Sequence, residues 1–150
     1  MMDYYHNNFR QTWNQLYTAV SPSSSSQSTP QLPSSRLIAL SLSFIQHLTI
    51  HHDIEEQHIF PILAQRMPQF RPGSTALEQH KQIHAGLDKL EAYMKDVKRG
   101  KIDLERAKVK EILDGFGEVL WQHLEEEVRF LGAENMRRFY KKEEIARLPM

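Results

Sequence analysis

Apolar residues recur at spacings of three and four positions along four long stretches of the chain, which is the period of an α-helix. These stretches are 3–20, 36–64, 75–98 and 103–131, and a shorter amphipathic segment covers 136–147. No stretch of useful length alternates polar and apolar residues with the period of two that a half-buried strand requires. The pattern therefore predicts an all-α protein.

The segments between the predicted helices indicate how the helices are arranged. Residues 21–35 are rich in serine and proline and nearly free of apolar residues, which predicts a long exposed loop. The two later connections are short and favour antiparallel neighbours. Four amphipathic helices within 150 residues bury their stripes best as a four-helix bundle in a single domain. The long loop is compatible with a crossover or with an up-down-up-down arrangement.

Each of the four apolar stripes is interrupted by histidine, glutamate or both, at positions where the helical period requires core residues. Three interruptions are pairs four residues apart, which puts both side chains on one face of a helix. In an antiparallel bundle the starts of the first and third helices lie beside the ends of the second and fourth, so all seven residues should meet at one end. They are His6, His51, Glu55, His80, His84, His123 and Glu127.

A buried cation would explain this set. An unpaired buried polar group costs about 1–3 kcal/mol and an unpaired buried charge more, against a total stability of about 5–15 kcal/mol. Five imidazoles and two carboxylates are too many ligands for one tetrahedral zinc ion and suit two ions that accept nitrogen and oxygen. We predict two iron ions, with manganese and zinc as alternatives, and open coordination positions for water, hydroxide or O₂.

The segment His-His-Asp-Ile-Glu-Glu-Gln-His-Ile-Phe-Pro at 51–61 resembles the second-helix signature of hemerythrin-like (HHE cation-binding) domains. A first-helix histidine, a third-helix H-x-x-x-H and a fourth-helix H-x-x-x-E follow the same family order. These elements are His6, then His80 and His84, then His123 and Glu127. The resemblance implies an up-down-up-down bundle that holds an oxo- or hydroxo-bridged non-haem di-iron centre with a site for O₂.

Two His/Glu pairs compete on the second helix, His51 with Glu55 and His52 with Glu56, and periodicity barely separates them. The family pattern has a proline six residues after the ligand glutamate, and Pro61 lies six residues after Glu55. The resemblance therefore favours His51 and Glu55 as ligands and makes His52 and Glu56 their neighbours.

The chain departs from the oxygen-carrying hemerythrins at one position. Those proteins have an aspartate five residues after the last-helix histidine, where this chain has Val128. The fourth-helix carboxylate is instead Glu127, as in the broader HHE group. The resemblance therefore extends to fold and metal binding, and reversible oxygen transport is not carried over.

Composition narrows the possible partners. Lys plus Arg and Asp plus Glu both number 19, so no bulk charge favours nucleic acid or an anionic membrane. There is no cysteine, hence no disulfide and no thiolate ligand or nucleophile. No apolar run approaches the roughly 20 residues of a membrane span, and no signal-peptide pattern is visible at the N-terminus. We expect a cytoplasmic protein.

These observations lead to two main hypotheses. The first is a di-iron protein that binds O₂ or a related small oxidant, such as nitric oxide or peroxide, for sensing, detoxification or storage. The alternative is an iron-handling or regulatory module whose folding and protein-partner binding depend on metal occupancy. No substrate-binding motif supports an enzyme, and the cost of burying the polar set disfavours a helical domain without metal.

Overall fold

The computed structural model describes residues 2–22 and 32–148. In chain order the helices are α1 (Met2–Val20), α2 (Ser34–Ile54), α3 (Phe60–Leu63), α4 (Thr75–Lys98), α5 (Arg106–Phe130), α6 (Ala133–Met136) and α7 (Lys142–Ile145). A π-helical turn (Glu55–Ile59) joins α2 to α3, and a 3₁₀ turn (Pro68–Phe70) precedes α4. The described residues contain no strand, and the predicted all-α class is confirmed.

The four long helices form a ring in which each packs against two neighbours, in the order α1, α2, α4, α5 and back to α1. This order is that of a four-helix bundle. Of the predicted loop 21–35, residues 23–31 lie outside the described residues, and α2 begins at Ser34, directly after Pro33. None of the helices within the described residues is both long and apolar enough to cross a membrane.

Two apolar clusters fill the molecule. The first, the bundle core, lies inside the ring and includes fully buried leucines from each long helix, which are Leu16, Leu37, Leu48, Leu90, Leu113 and Leu120. The second, the end cluster, joins the π turn, α3 and the C-terminal segment, and comprises Ile59, Phe60, Leu63, Met67, Phe70, Ala76, Met136 and Tyr140. Burying one such aliphatic or aromatic side chain contributes about 1.5–3 kcal/mol.

The helices approach closely at two glycines. A Cβ atom on Gly86 of α4 would lie 2.2 Å from Cδ1 of Phe116, and one on Gly117 would lie 2.7 Å from the Trp13 ring. Neither distance is possible without a shift of the neighbouring ring, so both positions need a residue without a side chain. The large aromatic residues of the bundle core therefore occupy space that these glycines leave free.

The π turn has a cause in the sequence. Pro61 has no backbone N–H, and in a regular α-helix its ring would clash with the carbonyl of Gln57. The chain instead widens by one residue, and the N–H of Phe60 donates to the carbonyl of Glu55. The helical rod thereby continues through the turn to Leu63, close to the predicted end at residue 64.

Two boundaries differ from those expected. The fourth long helix begins at Arg106 instead of 103, because the Tyr93 hydroxyl accepts the N–H of Glu105 and holds that residue extended. The segment expected to form one helix over 136–147 contains only the last residue of α6 and the single turn α7. Arg66 donates to the carbonyl of Phe139, and the Glu144 side chain accepts the N–H of Lys141, so a new helix begins after the break.

Candidate metal centre

Seven polar side chains, six of them buried, come together where the bundle core meets the end cluster, since the Phe9 ring lies 5.3 Å from that of His51 and the Phe60 ring 5.3 Å from that of His80. They form two groups, and within each group one ligand atom per residue lies within 4.8 Å of all the others. The first group is His6, His51 and Glu127, and the second is His52, Glu55, His80 and His123. Six of these side chains are at most 1% exposed, and only His51 retains measurable exposure, 14% of its side chain.

The two glutamates lie between the groups. Glu127 approaches both, because Oε1 is 3.1 Å from His6 Nε2 and Oε2 is 3.0 Å from His123 Nε2. Glu55 does the same, since Oε1 is 3.3 Å from His51 Nε2 and 3.8 Å from His80 Nε2. This is the placement required of carboxylates that bridge two ions.

Three of the imidazoles are oriented by contacts outside the groups. Nδ1 of His6 lies 3.1 Å from the carbonyl of Leu124, and Nδ1 of His80 lies 3.0 Å from Glu56 Oε1. Nδ1 of His123 lies 2.9 Å from the side-chain oxygen of Gln79. Each of these three oxygens can only accept a hydrogen bond, so each Nδ1 carries a proton and donates it. When the ring is neutral its Nε2 carries no proton, and this bare nitrogen faces the glutamates.

The distance between the Nε2 atoms of His80 and His123 shows whether a cation fits between them. Nε2 of His80 and Nε2 of His123 are 3.0 Å apart, and two bare nitrogens cannot hydrogen-bond to each other. Their separation is typical of two ligands of one cation, as is the approach of His123 Nε2 to Glu127. The residues therefore fit a metal ion.

Unsatisfied atoms point to the same conclusion. Both carboxylate oxygens of Glu55, Oε2 of Glu127, and Nε2 of His51 and His52 are buried without a hydrogen-bond partner in the described part of the chain. Leaving a buried acceptor unpaired costs about 1–3 kcal/mol each. Cations bound between the groups would satisfy all five atoms together.

Burial also sets the protonation of the rings. It lowers the pKa of His51 to about 4 and that of His80 to about 3, because the charged imidazolium is disfavoured away from water. Both rings are neutral at pH 7 and available to a metal.

The two carboxyl groups titrate as a pair with opposite shifts. Burial, reinforced by the charge of Glu127, raises the pKa of Glu55 well above its usual value. Burial also opposes ionisation of Glu127, but in the metal-free chain hydrogen bonds donated by His123 and His6 outweigh it and lower the pKa of Glu127 well below the usual value. A metal ion bound at the same nitrogens would take the place of those protons. Ionising both carboxyl groups at once requires a positive charge between them.

Six of the seven residues predicted as ligands therefore come together, and the seventh does not. His84 belongs to neither group; it is half-buried, and its Nε2 lies 3.3 Å from Nδ1 of His52. His52, which the resemblance makes a neighbour, is fully buried in the second group. The signal in the sequence was its spacing, four residues after the core residue Leu48 and seven after Ile45.

An all-helical bundle with a buried set of imidazoles and carboxylates at one end defines a cation-binding helical protein. The family model described as hemerythrin HHE cation binding domain matches residues 1–130, and the chain belongs to that family. Comparisons with curated proteins and with solved structures find no match.

Proposed function

We propose that the chain holds two iron ions, one at each group, with Glu55 and Glu127 as bridging ligands, and that a small oxidant binds there. The observation that carries the proposal is the position of the two glutamates, each within reach of imidazoles from both groups. Imidazole and carboxylate together suit iron, and manganese and zinc are the competing ions.

The number of ligands leaves room for a further molecule. Five imidazoles and two bridging carboxylates do not saturate two six-coordinate ions, so a hydroxide or oxide and one small ligand can be accommodated. A pair of irons supplies the redox chemistry for binding or reducing O₂, nitric oxide or peroxide. The chain contributes a dry pocket and fixed, neutral imidazoles.

The size of the ligand is limited by the entrance. His51 is the one group member with appreciable exposure, and the ring of Tyr5 lies 5.6 Å from it, centroid to centroid. The other six members are at most 1% exposed, and the ring of Phe60 in the end cluster lies 5.3 Å from that of His80, centroid to centroid. This enclosure favours a diatomic molecule or peroxide over a larger substrate.

Metal content and colour test the proposal directly. Protein purified in air should contain about two irons per chain and absorb in the near-ultraviolet and visible region through ligand-to-metal charge transfer. Reduction should bleach the band, and re-exposure to air or addition of azide should change it. A colourless chain that binds no iron after anaerobic reconstitution would contradict the proposal.

A second candidate function is a regulatory module in which metal occupancy controls the fold. The buried atoms without partners favour it, because the metal-free bundle then carries several unsatisfied groups. Chelation should loosen the bundle and make the C-terminal segment 132–148 sensitive to protease. Unchanged thermal stability and protease resistance after complete iron removal would rule this role out.

A further inference from the structure

We infer that His52 is the fifth imidazole ligand of the metal centre and that His84, the H-x-x-x-H residue, orients His52 from outside the centre. This inference rests on the proposed function. It changes the ligand set that the resemblance implies at one position, and the reasons lie in burial, hydrogen bonding and helix geometry.

Burial and position favour His52. Its side chain is fully buried, and one of its ring nitrogens lies within 4.8 Å of ligand atoms from Glu55, His80 and His123. Its ring stacks on that of His80, with centroids 3.8 Å apart and planes 15° apart. His84 is half-buried, belongs to neither group, and contacts Nδ1 of His52 through its Nε2.

The hydrogen bond between the two histidines indicates which ring donates and which accepts. His52 Nδ1 and His84 Nε2 are 3.3 Å apart, so one donates and the other accepts. If His84 donates, the proton of neutral His52 is on Nε2, which is buried without an acceptor in the described part of the chain. If His52 donates through Nδ1, its Nε2 is bare and can bind a cation. The second arrangement leaves no buried N–H unpaired.

His52 then has the same hydrogen-bond arrangement as His6, His80 and His123. In each of them Nδ1 donates to an acceptor outside the groups and Nε2 is turned inwards. His84 Nε2 is the corresponding outer acceptor for His52, and that nitrogen is thereby engaged away from the metal.

Helix geometry explains why α2 provides two neighbouring histidines. At 3.6 residues per turn, successive residues are about 100° apart, so His51 and His52 point to different groups. Glu55 lies about 40° from His51 on the helical wheel, between the two directions. One face of α2 and its π turn can therefore supply one imidazole to each group and the carboxylate between them.

The test compares metal content in His52→Ala and His84→Ala. We expect His52→Ala to retain about one ion per chain instead of two, and added imidazole to restore the second. We expect His84→Ala to retain two ions, with about 10–100-fold weaker affinity in chelator competition because an orienting contact is lost. His47→Ala, at an exposed position on the same helix, is the matched control and should leave both quantities unchanged.

Loss of an ion from His84→Ala, alone or together with His52→Ala, would overturn the inference, as would two ions in His52→Ala. Circular dichroism of the metal-free variants checks that each is folded. If His52→Ala does not fold, His84→Ala still decides the matter. Failure of the unmodified chain to bind any metal would be a different result, which overturns the proposed function itself.

Discussion

Nδ1 of His80 lies 3.0 Å from Oε1 of Glu56, and this contact links a partly exposed carboxylate to a fully buried imidazole. Glu55, the preceding residue, points into the interior and lies between the two groups. The two adjacent glutamates of the π turn thus have different roles: Glu55 lies at the candidate metal positions, and Glu56 orients the imidazole of His80. Their substitution should separate direct binding from orientation.

Glu55→Gln should abolish binding of at least one ion, because the amide replaces one bridging oxygen by a nitrogen that carries protons. Glu56→Gln should keep two ions with affinity reduced by at most about 10–100-fold, since the amide oxygen still accepts from His80. Elemental analysis and chelator competition measure both effects. Equal metal loss in the two variants would contradict the assignment of Glu55 as a ligand.

The metal-free protein should become less stable as the pH falls. His51 and His80 titrate in the folded chain at about 4 and about 3, below the ordinary value of 6.5 that they regain on unfolding. Below pH 6.5 the unfolded state therefore binds protons that the folded state does not, and the free energy of unfolding decreases. His52 is shifted in the same direction, and the opposite effect of Glu55 comes from a single group.

Urea denaturation of the chelated protein at pH 7, 6 and 5 measures this dependence. The midpoint should move to lower urea at each step below about 6.5. A midpoint that stays constant from pH 7 to 5 would show that these histidines are not buried in the metal-free chain.

The close approach of α4 and α5 makes a prediction about stability alone. Gly86→Ala places a methyl group against the Phe116 ring, and overpacking of this kind typically costs about 1–3 kcal/mol. Gly115→Ala is the matched control, because a Cβ there meets nothing within 4 Å, and alanine favours a helix by about 0.5–1 kcal/mol. The urea midpoint should fall in the first variant and rise in the second; a fall in both would contradict the packing argument.

The sequence predicted the bundle and most of the candidate site for one physical reason. Burial repeats with the helical period, so polar residues inside an apolar stripe are recognisable without coordinates. That His52 joins the groups and His84 does not lay beyond this reasoning. Residues one or four positions apart differ by about 100° or 40° around a helix, and which of them reach the interior depends on how α2 and α4 are rotated against each other. That rotation is set by tertiary packing.

The misplaced boundaries have a similar origin. The helix start at Arg106 depends on a hydroxyl from Tyr93, and the break between α6 and α7 depends on Arg66. These contacts join residues that are distant in sequence, so they cannot be predicted from the local pattern of apolar and polar residues. Helix ends are therefore less predictable than helix interiors.

The C-terminal segment, residues 132–148, lies beyond the part of the chain that the family model matches. Met136 and Tyr140 are buried in the end cluster beside Phe60, whose ring is 5.3 Å from that of His80, centroid to centroid. We therefore expect this segment to help keep water from the candidate metal centre. Loosening it should accelerate metal loss while the bundle core remains packed.

Met136→Ala removes a fully buried side chain and should lower the free energy of unfolding by about 2–5 kcal/mol. Release of bound metal to an excess of chelator should be faster, because local opening of the end cluster requires less free energy. Glu134→Ala, an exposed position in the same short helix, should change neither quantity. If Met136→Ala is destabilised but releases metal at the unaltered rate, the end cluster supports the fold without controlling access to the centre.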